Sequence, residues 1–419
     1  MDRASVFGTD GWGFESLRAR LLHPAARECI VAVEESLAAD ANATPDATPD
    51  ATPDAMPDAA LAKAVERLSD LYTTDRGRLA SEQADAAHLA AKREYFLASD
   101  APKVALALDE CAARSEAFAR IATLDRVRVV DFGAGVGATS VGFLAWLAGA
   151  RAARGVTAPA RVEFHAVELG VPAARAYESA VRVAANAAGV TAAVTVDARD
   201  FRAAPPPPCD LILCQTAINE LLVGERHAAA TVELVAGWAL HAPLLVIEPA
   251  LRTTTRALMA LRDDLLARGG LLSRGGLHVV APCLHQARCP MLAREGDWCH
   301  EARRIEPTPR VARIDRIVGR RDGRALFAFL ATAPGAPAAP AAGQLVRLVT
   351  DTLGSRGKTE RLVCRSDGEL RLMRLLDRET TDSNRAFLDA ERGAVLAIDP
   401  LPPNDRISPA ATVVTQPIG

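Results

Sequence analysis

Four cysteines in the second half of the chain are the residues whose types and spacing most directly predict chemistry. Cys283, Cys289 and Cys299 lie in one stretch rich in turn-forming residues, and Cys364 follows an apolar pair further along. Thiolates are favoured ligands of zinc and of iron–sulfur clusters. The gaps of five and nine residues between the first three cysteines differ from the short Cys-x-x-Cys knuckles typical of structural zinc. The four cysteines therefore predict a metal centre.

The interpretations of this metal centre differ in the residue that provides the fourth ligand. Cys364 is the candidate for a 4Fe–4S cluster, because it would clamp the C-terminal part of the chain onto the part that contains the other three cysteines. A Cys3His zinc site is the competing interpretation, and unligated thiols are the third. The histidines available for a zinc site are His278, His285 and His300. We expect the remaining cysteines to be packing or surface residues: Cys29, Cys111, Cys209 and Cys214.

A glycine-rich stretch, Asp131-Phe-Gly133-Ala-Gly135-Val-Gly137, follows a predicted strand and precedes a predicted helix. Glycines allow a tight strand-to-helix turn and leave the N-terminus of the helix facing a ligand. An acidic residue just before the first glycine is what S-adenosylmethionine (SAM) sites use to hold the cationic amino-acid end. The stretch therefore predicts a SAM pocket, and a dinucleotide site or a turn that binds nothing are the alternatives.

Two further acidic residues are placed to complete this pocket. Glu168 ends the second predicted strand, where its carboxylate would accept both ribose hydroxyls. Asp200 follows the third predicted strand, where an adenine amino group would lie. We therefore expect SAM to be held by Asp131, Gly133, Gly135, Gly137, Glu168 and Asp200.

The acceptor side of the pocket has a weaker signal. The segment from Cys214 to Leu221 contains neither the Asn/Asp-Pro-Pro-aromatic loop of amino methyltransferases nor the Pro-Cys loop of pyrimidine-C5 enzymes. Asn219 and Glu220 are the candidate catalytic residues, which would face the methyl acceptor. A general base is not required, because methyl transfer from a sulfonium can proceed by alignment and desolvation alone.

The hydrophobic pattern predicts a scaffold of the α/β class for these residues. Short runs of Val, Ile and Leu alternate with helix-length Ala/Arg-rich stretches, which is typical of a parallel, doubly wound sheet. Two later runs, 313–318 and 325–331, predict a closing antiparallel hairpin. The six earlier predicted strands are 127–131, 162–168, 194–197, 211–214, 244–248 and 277–280.

Composition divides the chain into parts. Residues 1–122 form a predicted helical N-terminal region. Within it, the Ala-Thr-Pro-Asp repeats of residues 43–58 predict a flexible tether, because proline at every fourth position bars a helix. The parts that follow are an α/β domain at 123–332 with a Cys-rich insertion at 281–300, an Ala/Pro/Gly linker at 333–343 and a C-terminal piece at 344–419.

Composition and charge also limit the class of protein. No apolar stretch approaches the roughly 20 residues that span a bilayer, and the N-terminus lacks an export signal, so we expect a cytoplasmic protein without a membrane partner. The formal net charge of −3 hides a segregation of charge. From Arg303 to Arg378 the chain has 16 basic and eight acidic residues. An arginine-rich segment suits contacts with RNA phosphates, although an arginine-rich solvated face is the alternative.

Several short strings occur in an order that resembles the small-ribosomal-subunit methyltransferase-like family, which includes mitochondrial methyltransferase-like protein 17 and bacterial relatives. The resemblance covers roughly residues 60–395, and its most specific part is the block from Ala-Pro-Cys to Trp-Cys-His. The tether and Gln215-Thr216 depart from the family pattern. The matching strings are the glycine-rich stretch, Asn219-Glu-Leu221, Ile247-Glu-Pro249, Ala281-Pro-Cys283, Cys289-Pro290, Asp297-Trp-Cys-His300 and the late Cys364.

The resemblance implies a class I SAM-dependent methyltransferase sheet with a helical N-terminal region and a small β-containing C-terminal piece. It implies SAM binding, a 4Fe–4S cluster on Cys283, Cys289, Cys299 and Cys364, and association with the small ribosomal subunit or its rRNA during assembly. The leading hypothesis is therefore an rRNA methyltransferase. The alternatives are a non-catalytic iron–sulfur assembly factor that keeps the same fold, and a small-molecule methyltransferase.

Overall fold

The computed structural model describes residues 22–40, 56–73, 86–158, 160–203, 205–222, 225–269, 276–320, 323–335, 337 and 345–416. Most of the predicted tether and most of the predicted linker lie outside these residues. The end of the tether is described, because a helix begins at Asp58. The start of the linker is also described, and residues 333 and 334 end a strand.

A doubly wound sheet forms the centre of the protein, as the alternating pattern predicts. Its first five strands are parallel, in the order β3-β2-β1-β4-β5, and the strand β8 (Arg324–Pro334) pairs antiparallel with both β5 and β6. A short strand, β7 (Glu301–Arg304), pairs with the other end of β8. The remaining strands are β1 (Arg126–Phe132), β2 (Arg161–Val167), β3 (Thr191–Asp197), β4 (Leu211–Gln215), β5 (Leu244–Glu248) and β6 (Leu277–Ala281).

One predicted strand is wrong. Residues 313–318 do not form the first arm of a hairpin, because Pro309–Ile317 is a helix. Pro309 occupies the first turn, where its missing N–H has no cost, and the buried Val311 and Ile314 are spaced three apart as on one helix face. The second arm, 325–331, is part of β8.

The N-terminal helices share one hydrophobic core with the sheet. The helix Leu97–Arg114 packs along the helix that follows the glycine-rich stretch, and a π-helical turn, Lys92–Phe96, precedes it. The predicted boundary near residue 122 therefore separates helices from strands without separating two cores. The helices are α1 (Pro24–Asp40), α2 (Asp58–Thr73), α3 (Ala86–Ala91), α4 (Leu97–Arg114), α5 (Glu116–Ile121), α6 (Ala138–Ala153), α7 (Val171–Ala187), α8 (Glu225–His241), α9 (Arg252–Gly269) and α10 (Pro309–Ile317). Among the residues described, no helix is both long and apolar enough to cross a membrane.

The C-terminal piece is a second, six-stranded sheet with a core of its own. Its strands pair antiparallel in the order β10-β11-β9-β13-β14, and β12 pairs with β11. These strands are β9 (Leu345–Leu348), β10 (Leu353–Ser355), β11 (Lys358–Arg365), β12 (Leu370–Leu376), β13 (Val395–Asp399) and β14 (Thr412–Thr415), with one short helix, α11 (Ala386–Asp389), before β13.

The basic segment is less basic at its surface than its composition predicts. Arg310, Arg347 and Arg361 are buried. Arg361 donates a hydrogen bond to a backbone carbonyl of the C-terminal piece, 2.6 Å away, and Arg365 and Arg371 pair with carboxylates of the same segment. A count of arginines along the sequence therefore overstates the charge available to a nucleic acid.

A buried ion network joins the second sheet to the rest of the protein. Arg347 of β9 is 2% exposed, and its guanidinium lies 2.6 Å from a carboxylate oxygen of Glu110 on α4 and 2.6 Å from one of Glu301 on β7. Arg303 contacts the same two carboxylates at 2.6 and 2.7 Å. Burial raises the pKa of Glu110, but Arg347 and Arg303 oppose it and lower the pKa to about 2. Glu110 therefore stays ionised at neutral pH although it is fully buried.

We predict that Arg347→Ala costs about 3–5 kcal/mol of unfolding free energy, because it leaves Glu110 and Glu301 buried with less positive charge. Urea denaturation followed by circular dichroism measures this loss. Arg371→Ala, which breaks an exposed pair with Glu369 in the same sheet, is the matched control and should leave the midpoint unchanged. Equal midpoints for the two variants would contradict the prediction.

Candidate cofactor pocket and cysteine cavity

The glycine-rich stretch forms a left-handed turn between β1 and α6. Gly133, Gly135 and Gly137 have φ values of +69°, +54° and +101°, a region that favours glycine. The amide of Gly133 donates to the carbonyl oxygen of Val167 at the end of β2, 3.0 Å away. A Cβ on Gly133 would lie 2.6 Å from the Cβ of Ala217, so this position also needs glycine for space. The turn brings the ends of β1, β2 and β4 together.

Asp131 lies fully buried beneath this turn. One carboxylate oxygen, Oδ2, accepts a hydrogen bond from the hydroxyl of Ser140 at 2.7 Å, and that hydroxyl is also 2.7 Å from the hydroxyl of Tyr177. The other oxygen, Oδ1, has no hydrogen-bond partner among the described residues. Burial, with a contribution from Glu168, raises the pKa of Asp131 to about 7. A buried carboxylate with an open oxygen is suited to a cationic ligand.

Glu168 reaches the same turn from the end of β2. Its Oε2 accepts a hydrogen bond from the amide of Gly135 and its Oε1 accepts one from the amide of Gly170, both at 2.8 Å. Each carboxylate oxygen can accept a second hydrogen bond. Asp200 differs, because its carboxylate pairs with the guanidinium of Arg202. The structure thus brings Asp131 and Glu168 to one turn and directs Asp200 to a neighbouring arginine.

The two candidate catalytic residues lie in a short 3-10 helix after β4. Asn219 is buried, and its backbone and side-chain amides donate to the two oxygens of Glu248 at 3.1 and 2.6 Å. Glu220 is exposed. Thr216, just before this helix, has a φ of +57°, a strained value for a β-branched residue. Glu248 therefore fixes Asn219 beside the glycine turn.

All four predicted metal ligands line a single cavity. It contains about 700 Å3 of space, part of which is open to solvent. Cys283 and Cys289 come from the loop after β6, Cys299 lies just before β7, and Cys364 belongs to β11 of the second sheet. Among the residues that the structure describes, no group of three or more His, Cys, Asp or Glu side chains converges closely enough to hold one metal ion. Apolar side chains complete the wall, among them Met259, Met291, Phe329 and Val349.

Helix α9 holds the cysteine loop through two arginines. Arg262 is buried and donates to the carbonyl oxygens of His285 and Ala287 at 2.7 and 2.5 Å. The neighbouring Asp263 accepts a hydrogen bond from the amide of Cys289 at 3.0 Å. Arg256 donates to three further carbonyl oxygens of the loop, those of Leu292, Arg294 and Asp297. Backbone groups along the loop are thus paired with side chains of one helix.

Burial keeps the thiols of Cys289, Cys299 and Cys364 protonated in the absence of a metal. Burial raises the pKa of Cys289 to about 11, and the thiol of Cys283 adds to the rise. Burial also raises the pKa values of Cys299 and Cys364, whereas Arg347 acts in the opposite direction on both. A metal that binds these sulfurs would therefore displace protons.

Of the three candidate histidines, two line the cavity. His285 and His300 do so, whereas His278 lies in β6 and contacts the carbonyl oxygen of Gly335 through Nδ1 at 2.9 Å. The Nε2 atom of His285 lies 3.4 Å from the sulfur of Cys364. Burial, and secondarily Arg262, lowers the pKa of His285 to about 4, so the ring is neutral at neutral pH.

Sequence reasoning missed three charged residues that shape these sites. They are Glu248, Arg262 and Arg347, and each is buried. For Glu248 and Arg347 the signal is a lone charged residue within or at the end of an apolar stretch, such as Leu-Val-Arg-Leu for Arg347, whereas Arg262 stands beside Asp263 and Asp264 and has no such signal. A charge in such a place is costly to bury, so it predicts a charged or polar partner elsewhere.

The strand order, with the reversed β8 between β5 and β6 and a glycine turn after β1, defines a protein of the class I methyltransferase fold. The sequence then gives the family. The chain belongs to the family described as mitochondrial small ribosomal subunit Rsm22, whose sequence pattern matches residues 83–390. This match confirms the resemblance drawn from the cysteine block and the other motifs. A comparison with curated proteins gave no significant match.

Solved structures give only weak likenesses. The plantazolicin methyltransferase BpumL, solved in complex with SAH, is 10% identical over 66% of this chain and 96% of that one, with a TM-score of 0.31. A Listeria monocytogenes protein described as a class I S-adenosylmethionine-dependent methyltransferase is 10% identical over 67% and 71%, with a TM-score of 0.33. The bifunctional kinase-methyltransferase WbdD is 12% identical over 33% of this chain and only 28% of that one, with a TM-score of 0.23. The fold assignment rests on the strand order instead.

We predict that Gly133→Ala abolishes SAM binding, because the new Cβ would clash with Ala217 and push the glycine turn away from the segment after β4. Isothermal titration calorimetry measures the binding. Gly155→Ala is the matched control, since Gly155 also has a left-handed φ, +64°, but no atom lies within 4 Å of its added Cβ. Both variants carry the backbone cost of about 1–2 kcal/mol, and only the first should lose binding. Unchanged binding by Gly133→Ala would contradict the placement of the pocket.

Proposed function

We propose that this protein is a SAM-dependent methyltransferase that acts on the rRNA of the small ribosomal subunit and carries a 4Fe–4S cluster. The observation that supports methyl transfer from SAM is that two carboxylates, those of Asp131 and Glu168, lie at one glycine turn of a methyltransferase-type sheet. Family membership supports the small subunit as partner. The family description names mitochondria, whereas the sequence predicts a cytoplasmic protein. We propose that the protein acts wherever its small subunits assemble.

The residues of the turn fit SAM. The open Oδ1 of Asp131 would accept hydrogen bonds from the ammonium group of the methionine part, and the oxygens of Glu168 would accept the ribose hydroxyls. Gly133, Gly135 and Gly137 would let the backbone approach the ligand closely. Asp200 would contact the adenine amino group only after a change in its pairing with Arg202. Bound SAM supplies an electrophilic methyl group, and this chain supplies alignment and exclusion of water.

Asn219 and Glu220 would face the methyl acceptor. Asn219 is fixed by Glu248, so its position does not depend on the acceptor. On the other side, Gln215 accepts a hydrogen bond from Thr139 at 3.2 Å and donates to the carbonyl oxygen of Asp100 at 3.3 Å. The N-terminal helix α4 thereby borders the acceptor side. An acceptor held between α4 and the segment after β4 would be oriented by polar groups without a general base.

One observation favours the second candidate function, a non-catalytic assembly factor. One side-chain N–H of Asn219 donates to the buried carboxylate of Glu248, so this N–H is not available to a methyl acceptor. Such a site can recognise an RNA without transferring a methyl group to it. Both functions use the same fold and the same cluster, so only a measurement of methyl transfer separates them.

We predict that purified small subunits incubated with the protein and tritium-labelled SAM acquire label in their rRNA. Scintillation counting of the extracted RNA measures the transfer. Gly133→Ala protein should give background counts, whereas Gly155→Ala protein should keep transfer. Co-sedimentation with small subunits without label would contradict the enzyme and support the assembly factor. Label in a small molecule, with no affinity for small subunits, would favour a small-molecule methyltransferase.

The donor set of the cysteine cavity fits an iron–sulfur cluster. Four sulfurs approach one apolar cavity, and two buried guanidinium groups, those of Arg262 and Arg347, lie along its wall to offset the negative charge of ligated thiolates. The backbone of the loop is held by α9 before any metal binds. A Cys3His zinc site remains the competing chemistry, and metal analysis separates the two.

We predict that protein purified without oxygen is brown, absorbs broadly near 400 nm and contains about four iron and four acid-labile sulfide per chain. Cys283→Ser should lose the colour and most of the iron, because it removes one ligand. Cys209→Ser, which changes a cysteine outside the cavity, is the matched control and should retain both. Stoichiometric zinc in a colourless protein would contradict the cluster.

A further inference from the structure

His285 has the hydrogen bonding of a metal ligand. Its Nδ1 lies 3.1 Å from the carbonyl oxygen of Ala287, and a carbonyl can only accept, so Nδ1 carries the ring proton. The opposite nitrogen, Nε2, then keeps its lone pair, and it lies 3.4 Å from the sulfur of Cys364. Histidines that bind metals usually donate their other ring N–H to a carbonyl or carboxylate in this way.

The ring of His285 is fixed in this orientation from two sides. Arg262 holds the carbonyl oxygens of both His285 and Ala287, so the turn that sets the ring is anchored to α9. Gly368, with a φ of +89°, packs over the same turn. A Cβ on Gly368 would lie 2.9 Å from Ala287 and 3.5 Å from Nδ1 of His285, so no larger residue fits there. The lone pair of Nε2 is therefore held toward the cavity.

The two other candidate histidines lack this combination. His278 also contacts a carbonyl oxygen through Nδ1, but it does not line the cavity. His300 lines the cavity, but its Nδ1 has no hydrogen-bond partner among the described residues, and its ring stacks on Trp298 with ring centroids 5.6 Å apart. Of these three histidines, only His285 has both a fixed tautomer and a ring nitrogen beside the sulfur of a predicted ligand.

We propose that His285 is a reserve ligand, meaning that it can replace Cys364 on the iron that Cys364 holds. Five protein side chains are then available for the four ligand positions of the cluster. This inference rests on the iron–sulfur centre proposed above. With a cluster bound, the exchange would leave the electron pair of the iron–sulfur bond on the sulfur of Cys364, which would take a proton from water and release hydroxide. The lone pair of Nε2 would form the new bond, so no oxidation state would change. Cys283, Cys289 and Cys299 would remain the other three ligands.

The test is the iron content and spectrum of protein lacking Cys364, purified without oxygen. Cys364→Ala should retain about four iron per chain with a shifted absorption spectrum. Pulsed electron paramagnetic resonance of its reduced form should show a strongly coupled nitrogen that is absent from the wild type. Cys364→Ala with His285→Ala should lose most of the iron, whereas Cys364→Ala with His278→Ala, the matched control, should retain it. If the alanine variant does not fold, the nitrogen measurement is repeated on Cys364→Ser, which keeps the size and polarity of the side chain.

The outcomes separate this inference from the proposed cluster. A wild-type protein without iron would overturn both. A wild-type protein with a cluster, together with a folded Cys364→Ala variant that holds none, would overturn the reserve ligand alone. Equal iron in Cys364→Ala with and without His285 would also overturn it, because solvent would then occupy the fourth position.

Discussion

Burial of Arg347 between Glu110 and Glu301 is the constraint on which the rest of the structure depends. The three residues come from the second sheet, from a helix of the N-terminal region and from the edge of the central sheet, so one buried charge cluster fixes three parts of the chain. The network adjoins the cysteine cavity, because Arg347 also donates to the carbonyl oxygen of Pro282 at 3.0 Å. Cys364 reaches the other three cysteines only when the second sheet is docked in this way. Buried ion pairs are weak contributors to stability but strict in geometry, which suits a site assembled from distant segments.

The glycine turn is also a place where distant segments of the chain meet. Asp131, Glu168 and the segment after β4 meet because parallel strands end at one edge of the sheet. Glycine at position 133 allows the turn and the segment after β4 to approach each other closely. Glu248 then fixes Asn219 from beneath. The two sites are separate, but α9 follows Glu248 and carries the arginines that hold the cysteine loop. One helix therefore adjoins the segment that contains Asn219 and also supports the cysteine loop.

Much of this fold could be predicted from local pattern. The first six of the eight strands of the central sheet follow from short apolar runs between helix-length stretches, and the glycine turn follows from its motif. The run at 313–318 predicts a strand but forms part of a helix, because Val311, which lies outside the run, sets the helical spacing with Ile314. The convergence of four cysteines on one cavity could be predicted because their residue type and spacing are chemically distinctive. Arg347, Arg262 and Glu248 could not, because their partners lie far away in sequence and no local pattern encodes them. Likewise, the charged residues of the C-terminal segment can be counted in the sequence, but which of them are buried depends on tertiary contacts.

Strand β8 has a further consequence for the cysteine loop. Its C-terminal half pairs with β6 and its N-terminal half with β7, so both ends of the loop between Ala281 and Glu301 are tied to one strand. Closing a loop costs conformational entropy, and here folding of the sheet has already closed it before any ligand binds. A ligand of the cavity would therefore meet a loop whose ends cannot diffuse apart. The entropy cost of ordering the loop around a ligand is in this sense lowered by a strand that contains none of the four cysteines.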